Sequence, residues 1–496
     1  MQFNTIDFMV FFPVVVLVYF VIPRKIRTFW LLVASYFFYM SWNAKYAVLI
    51  GLSTLITYIS ALLLDNVGTD DRRYRKLTLA VCIIVNLGLL GVFKYANFFI
   101  ESIDSLISIL HITNIEQHFD ILLPVGISFY TFQAIGYVID VYRGDTRAEK
   151  NLIRYALFVS FFPQLVAGPI ERSKNLLNQI DNIQEICVVN IRRITSGIII
   201  MIWGLFVKMV IADRIAILVN TVFDNYRSYG SIELGAAALG FTLQIYCDFG
   251  SYSLVALGAA RVMGLDLMEN FVSPYFATSI ADFWSRWHIS LTTWFRDYLY
   301  IPLGGNRKGT ARKYINIMIV FLVSGLWHGA DWSYVLWGGI HGLYRVIGES
   351  TLRIRSKFAT KLNVNTRCFS WRLLKIMTTF LFVAFAWIFF RAPSIQDAFG
   401  YIHHMITNPN PWVLFNEGVY SLGLSRPEMN ILAVSVTLLV LVDIIRYKKG
   451  MLIDAFLFSQ NIWFEWSVII ILIVMVFVFG QYGPDFNPQQ FIYFQF

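Results

Sequence analysis

Ile462-Trp-Phe-Glu-Trp-Ser-Val-Ile-Ile-Ile-Leu-Ile-Val-Met-Val-Phe-Val-Phe-Gly480 decides the fold class, with Glu465 its only charge. A hydrocarbon core of about 30 Å takes about 20 apolar residues to cross as a helix. The rest of the chain repeats the pattern. Of 496 residues, 57% are hydrophobic and only 14% charged, and the mean hydropathy is +0.61. Soluble domains carry about 25% charged residues, so a chain this poor in charge cannot clothe itself for water. A soluble enzyme, a disordered chain and a disulfide-rich secreted module are excluded. Cys82, Cys187, Cys247 and Cys368 form no CxxC pair, so they suggest neither a zinc site nor a disulfide framework.

Working outward, apolar segments fall at 1–23, 29–43, 46–64, 77–93, 122–141, 194–211, 232–247, 314–330, 333–348, 376–390, 430–445 and 462–480. The first lacks a basic start and a small-residue cleavage site, so it reads as an uncleaved span rather than a signal peptide. Two further stretches read as re-entrant: 155–170, broken by Pro163 and Pro169, and 271–300, which carries Asp282, Arg286, His288, Arg296 and Asp297. The stretches 97–121 and 392–429 read as outer-face caps, the first as an interfacial helix. The expectation is a single all-α, polytopic domain over 1–496, with about 11–13 transmembrane helices plus re-entrant and interfacial ones.

Charge orients this arrangement. Loops 24–27, 65–76, 143–154, 307–313, 345–375 and 446–449 alternate with the spans and hold 26 of the 40 Lys and Arg, whereas 97–121 and 450–496 hold none. The positive-inside rule places those six loops in the cytoplasm and both termini outside. The net charge of +9 then needs no nucleic acid to explain it.

Polar residues inside a membrane protein are costly and mark function. They crowd between Tyr246 and His341: Asp282-Phe-Trp-Ser-Arg-Trp-His288, then Ser324-Gly-Leu-Trp-His328-Gly-Ala, then Leu336-Trp-Gly-Gly-Ile-His341. A helix starting near Lys313 puts His328 roughly 22 Å along, at about 1.5 Å per residue. A neutral imidazole there has the form a general base needs. Spacing alone leaves packing against a carbonyl equally open. Gly325 and Gly329 would let substrate or backbone come close. His288 reads as support more than chemistry, and His341 as packing. His403 and His404 read as surface residues, and His111 and His118 as loop residues. The run Gly304 to Thr310 is not a phosphate loop, since lysine is missing where that motif needs it, and neither HExxH nor GxSxG occurs. No metal site is expected.

Several stretches together resemble the membrane-bound O-acyltransferase family, and within it the alginate-type bacterial members. They are Ser128-Phe-Tyr-Thr-Phe-Gln through Arg143, Phe161-Phe-Pro-Gln-Leu-Val-Ala-Gly-Pro-Ile170, Tyr246-Cys-Asp-Phe249, Trp287-His-Ile-Ser-Leu through Asn306-Arg307, Leu326-Trp-His-Gly-Ala330 and the closing Phe491-Ile-Tyr-Phe-Gln-Phe496. Gly250-Ser251 is reversed relative to the family's usual order, Leu254 stands for an acid, and Ser285 stands for an arginine.

The resemblance implies an enzyme in a bacterial inner membrane, surrounded by lipid. It would pass an acetyl group from a cytoplasmic thioester towards an extracytoplasmic polysaccharide, with partner acetyltransferases outside. His328 would be the catalytic centre and His288 the second family histidine. Trp287, Trp327 or backbone amides near Gly329 would be the substrate-binding donors, a choice the sequence leaves open. Asn306 and Arg307 would meet the phosphates of a donor such as acetyl-CoA, with a charged anchor loop as the alternative for Arg307. Two alternatives remain at this point: D-alanyl transfer to teichoic acid from a carrier protein, and a non-catalytic polysaccharide transporter.

Overall fold

The computed structural model describes residues 1–67, 71–109, 123–166, 168–187 and 190–482, and among these there are helices and no strand. His111, His118 and the closing 491–496 motif lie outside the described residues. Each of the twelve apolar segments falls on a helix. Six helical runs among the described residues are both long and apolar enough to cross a membrane: Ala44–Asn66, Arg72–Ser108, Ile191–Phe223, Phe369–Arg391, Arg426–Lys449 and Ile462–Phe479.

The last of these shows why lipid is required. Helix Ile462–Phe479 buries Ile469, Leu472 and Val476, a stripe spaced by three and four residues. Ile470, Ile471, Val474, Phe477 and Val478 are each at least half exposed. Leaving such a side chain in water forgoes about 1.5–3 kcal/mol. Five of them on one helix would match a typical net stability of about 5–15 kcal/mol, so an apolar solvent must cover that face.

The chain forms two compact units, Met1–Gly197 with Ala256–Met268, and Ile198–Val255 with Glu269–Phe496. In the first, the expected break at 155–170 is present: helix Leu152–Ser160 stops and a short helix Phe162–Leu165 follows, with Pro163 near its start. The backbone groups freed by the break are re-paired. The Phe162 amide donates to Ser35 Oγ at 3.1 Å, and the Phe158 carbonyl accepts from the side-chain amides of Gln133 and Gln164 at 2.6 and 2.8 Å. Irregular backbone at membrane depth survives only with such partners. The stretch after residue 97 differs from expectation. Instead of a separate interfacial helix, Ala96–Ile109 continues helix Arg72–Leu90 through a π-turn at Gly91–Tyr95, giving one 37-residue run over Arg72–Ser108.

The second unit holds the polar sequence. Helices Thr310–His328 and Trp332–Ser350 pack as an antiparallel pair, joined by a turn after His328. Glycines set their separation. A Cβ on Gly325 would stand 2.2 Å from the Tyr334 carbonyl oxygen, and one on Gly338 would stand 2.2 Å from that of Phe321. Small residues of this kind let membrane helices approach closely. A valine at Gly325 is therefore expected to push the pair apart, costing about 1–3 kcal/mol or more. An alanine at Gly235, where a Cβ meets nothing within 4 Å, is expected to be tolerated; thermal unfolding in detergent compares the two.

Candidate functional site

The stretch 271–300, expected to enter the membrane without crossing it, is broken into short pieces. Short helices Ile280–Arg286 and Ile289–Phe295 are split at Trp287 and His288, and a π-turn runs over Arg296–Tyr300. Ser279 caps the first helix by accepting from the Asp282 amide at 3.1 Å. Asp282 is engaged by Arg286 at 2.7 Å and by the Thr278 amide at 2.9 Å. These two charges satisfy each other. Ser285, exposed, folds back onto the Asp282 carbonyl at 2.7 Å, and Ser251 does the same onto the Asp248 carbonyl at 2.8 Å. The departures at Ser285 and Ser251 are thus absorbed within their own helices.

His288 is fully buried and sits in the left-handed region at φ +43°. A non-glycine residue held there carries about 1–3 kcal/mol of strain and persists only where its surroundings fix it. Asn270 does the fixing: its carbonyl accepts from the Ile289 amide at 3.0 Å and its Oδ1 from the Ser290 amide at 3.2 Å. Phe249 and the imidazole ring stand perpendicular to each other at a centroid distance of 4.7 Å.

His328 ends helix Thr310–His328 and is 3% exposed. Its Nδ1 lies 2.6 Å from the Ser324 carbonyl oxygen, one turn earlier. A carbonyl can only accept, so Nδ1 carries the proton and Nε2 carries the lone pair in the neutral ring. The packing alternative of the sequence, a histidine bonded to a carbonyl, is therefore present at Nδ1 and leaves Nε2 as the basic nitrogen. Trp327, Trp337 and Phe390 surround the ring at centroid distances of 5.0, 5.0 and 5.9 Å. His288 lies 6.1 Å from His328 and 5.9 Å from Trp327.

The structure thus brings together His328, His288 and Trp327. It does not bring in the others. Trp287 packs with Phe271, Phe283 and Trp387 at 4.9, 5.4 and 5.2 Å, one ring removed from those around His328, and its buried indole N–H has no hydrogen-bond partner among the described residues. Asn306 and Arg307 are exposed in a turn at the far end of the helix. That turn is tied down by buried Asn316, whose amide donates to the Gly305 carbonyl at 3.0 Å. Twelve residues separate Asn316 from His328, about 18 Å along the helix. Gly325 and Gly329, expected to admit substrate or backbone, admit Tyr334: its carbonyl at the first and its ring at the second. His341 is a packing residue as expected. It accepts from Trp284 Nε1 at 3.3 Å, and Trp337 lies beside it and beside His328. His403 is exposed and His404 pairs with Asn408.

One charged cluster went unread in the sequence. Lys208, on a π-turn over Val207–Ala212, meets Asp213 at 2.7 Å and also Asp248 of the Tyr246–Phe249 motif, all of them buried. A lone lysine within the apolar run 194–211 was the available signal, since an intramembrane charge needs a partner. Among the described residues no group of three or more His, Cys, Asp and Glu could hold a metal ion.

A polytopic helical bundle with two buried histidines beside a tryptophan matches a known class. The chain belongs to the membrane-bound O-acyltransferase family, whose model matches residues 147–392. It is 40% identical over 390 residues to the "Probable alginate O-acetylase" of Pseudomonas putida, covering 78% of this chain and 76% of that one. It is 35% identical over 437 residues to the peptidoglycan O-acetyltransferase of Helicobacter pylori, covering 82% and 79%. A more distant relative is the teichoic acid D-alanyltransferase of Streptococcus thermophilus, 30% identical over 246 residues, covering 46% and 57%. The protein is a multi-pass membrane O-acyltransferase.

Proposed function

We propose that this enzyme takes an acetyl group from acetyl-CoA on the cytoplasmic side of a bacterial inner membrane. The group is passed towards a polysaccharide or cell-wall polymer outside, through partner acetyltransferases. The observation that carries the reading is the 2.6 Å contact between His328 Nδ1 and the Ser324 carbonyl. It fixes the tautomer whose Nε2 removes the proton of an attacking hydroxyl as its oxygen adds to the thioester carbonyl carbon. The C–S bond then breaks, and the proton on Nε2 goes to the departing thiolate. Trp327, beside both histidines, donates towards the carbonyl oxygen as negative charge develops there, in a site sheltered from water. His288 positions this group from its strained, Asn270-held backbone. Asn306 and Arg307 meet the donor at the basic end of the helix. The acetyl reading is supported by relatives at 35–40% identity over about four-fifths of the chain, against about half for the D-alanyl relative.

Purified protein offered acetyl-CoA or a D-alanyl carrier protein separates the two donors. Acceptor-dependent release of free CoA, with no discharge of the carrier, is expected. Discharge of the carrier alone would replace acetyl by D-alanyl.

A further inference from the structure

In the second unit, helices Arg426–Lys449 and Ile462–Phe479 leave an apolar groove between them, with a cavity volume of about 240 Å³. Leu438, Val442 and Ile445 line it from the first helix, and Phe464, Val468 and Leu472 from the second. These residues recur every three or four positions, so each set forms one stripe of its helix. Both helices are long and apolar enough to cross a membrane. The groove is open on its outer side, where Leu441 and Phe464 in its wall are 53% and 49% exposed. Buried Trp203 and Leu472 close it on the protein side.

The groove has the length of one leaflet. From Leu438 to Ile445 is seven helical residues, about 10 Å, and from Phe464 to Leu472 is eight, about 12 Å. Half of a hydrocarbon core of about 30 Å is about 15 Å. The positive-inside rule places loop 446–449 in the cytoplasm, so the groove runs through the cytoplasmic half. It starts at that loop. Short helix Ile453–Leu457 adds Phe456 to the wall, and the Lys449 ammonium lies 5.1 Å from the Phe456 ring centroid.

Charge at this mouth selects the occupant. Lys448 and Lys449 follow Ile445 by three and four residues, hence on its side of the helix, and both are exposed. Arg446 beside them is held by Glu269 at 2.6 Å, whereas neither lysine enters an ion pair among the described residues. Asp454 and Glu465, the carboxylates of the segment that follows, do not line the groove. An acyl chain that leaves the bilayer for the groove exchanges one apolar neighbour for another, so the lining alone gives no preference among lipids. The lysines do, because juxtamembrane lysines attract the anionic headgroups of the cytoplasmic leaflet.

We propose that this groove is a binding site for an anionic phospholipid of the cytoplasmic leaflet, with an acyl chain between the two helices and the headgroup phosphate on Lys448 and Lys449. No step of acyl transfer is involved. Purified full-length protein is equilibrated in detergent with equal amounts of phosphatidylglycerol and phosphatidylcholine carrying the same acyl chains. Native mass spectrometry then counts the lipid retained by wild type, Lys448→Gln/Lys449→Gln and Val442→Trp, with thermal unfolding as the folding control. Wild type is expected to retain phosphatidylglycerol over phosphatidylcholine by roughly tenfold or more. The lysine variant should hold the two lipids equally, and the tryptophan, by filling the groove, should lose the retained phosphatidylglycerol. Equal retention of the two lipids by wild type, or an unchanged preference in the lysine variant, overturns the proposal. So does an unchanged preference in a folded Val442→Trp protein, which would place the lipid elsewhere. Both lysines are exposed, so their variant decides the matter even where the tryptophan unfolds the chain.

Discussion

Replacing His328 by alanine is expected to lower acyl transfer by about 10²–10⁴-fold, the usual loss when a positioned general base is removed. The ring lies between Trp327, Trp337 and Phe390, so alanine also leaves a void. A second variant separates chemistry from packing. Glutamine in place of His328 fills much of the space, and its amide can still donate to the Ser324 carbonyl, but it offers no basic nitrogen. Both variants should lose activity alike, while His328→Gln should unfold close to wild type. Activity retained by His328→Gln would make the histidine a packing residue. The readout is acetylation of the polymer in cells at matched protein level, checked by melting of the purified variants.

The second large effect concerns stability. Lys208→Met is expected to destabilise the protein by about 3–5 kcal/mol, the cost of leaving a buried charge without its partner. Here two carboxylates, Asp213 and Asp248, lose the same ammonium group. Asp213→Asn should act very differently. The cluster of one lysine and two aspartates carries one excess negative charge, and the asparagine removes it while the Lys208–Asp248 pair stays. The loss should be no more than about 1.5 kcal/mol, that of one ordinary hydrogen bond. Thermal unfolding in the same detergent orders the variants: wild type, then Asp213→Asn, then Lys208→Met well below. Lys208→Met melting with wild type would mean that the triad does not hold the second unit together.

These expectations draw on what the sequence made legible and on what it did not. Apolar runs identified every helix of the predicted set, because a membrane helix must be apolar over its whole length regardless of its neighbours. The break at Pro163 and irregular backbone within 271–300 were legible for the complementary reason: proline and clustered charges cannot sit in an unbroken lipid-facing helix. That the second break falls at Trp287-His288 was not legible. The continuity of Arg72–Ser108 was not legible. Its π-turn at Gly91–Tyr95 absorbs an extra residue without any breaker stronger than glycine. Side-chain direction was also hidden. Trp287 and His288 are neighbours in sequence, yet Trp287 packs with Phe283 and Trp387 while His288 faces Trp327 and His328. The tautomer of His328 depends on the Ser324 carbonyl one helical turn away, which any residue at 324 would supply. Lys208 could have been found by its solitary charge, but its partner Asp248 lies 40 residues on, a pairing that only the fold supplies.

The central claim is that His328 Nε2 drives acyl transfer from a thioester donor. The most direct measurement is the initial rate of free thiol release from acetyl-CoA by purified protein in proteoliposomes, with and without a hydroxyl acceptor, for wild type and His328→Gln. Acceptor-dependent release by wild type, reduced at least about 100-fold in the variant, is the predicted result. Equal rates in the two proteins would contradict it.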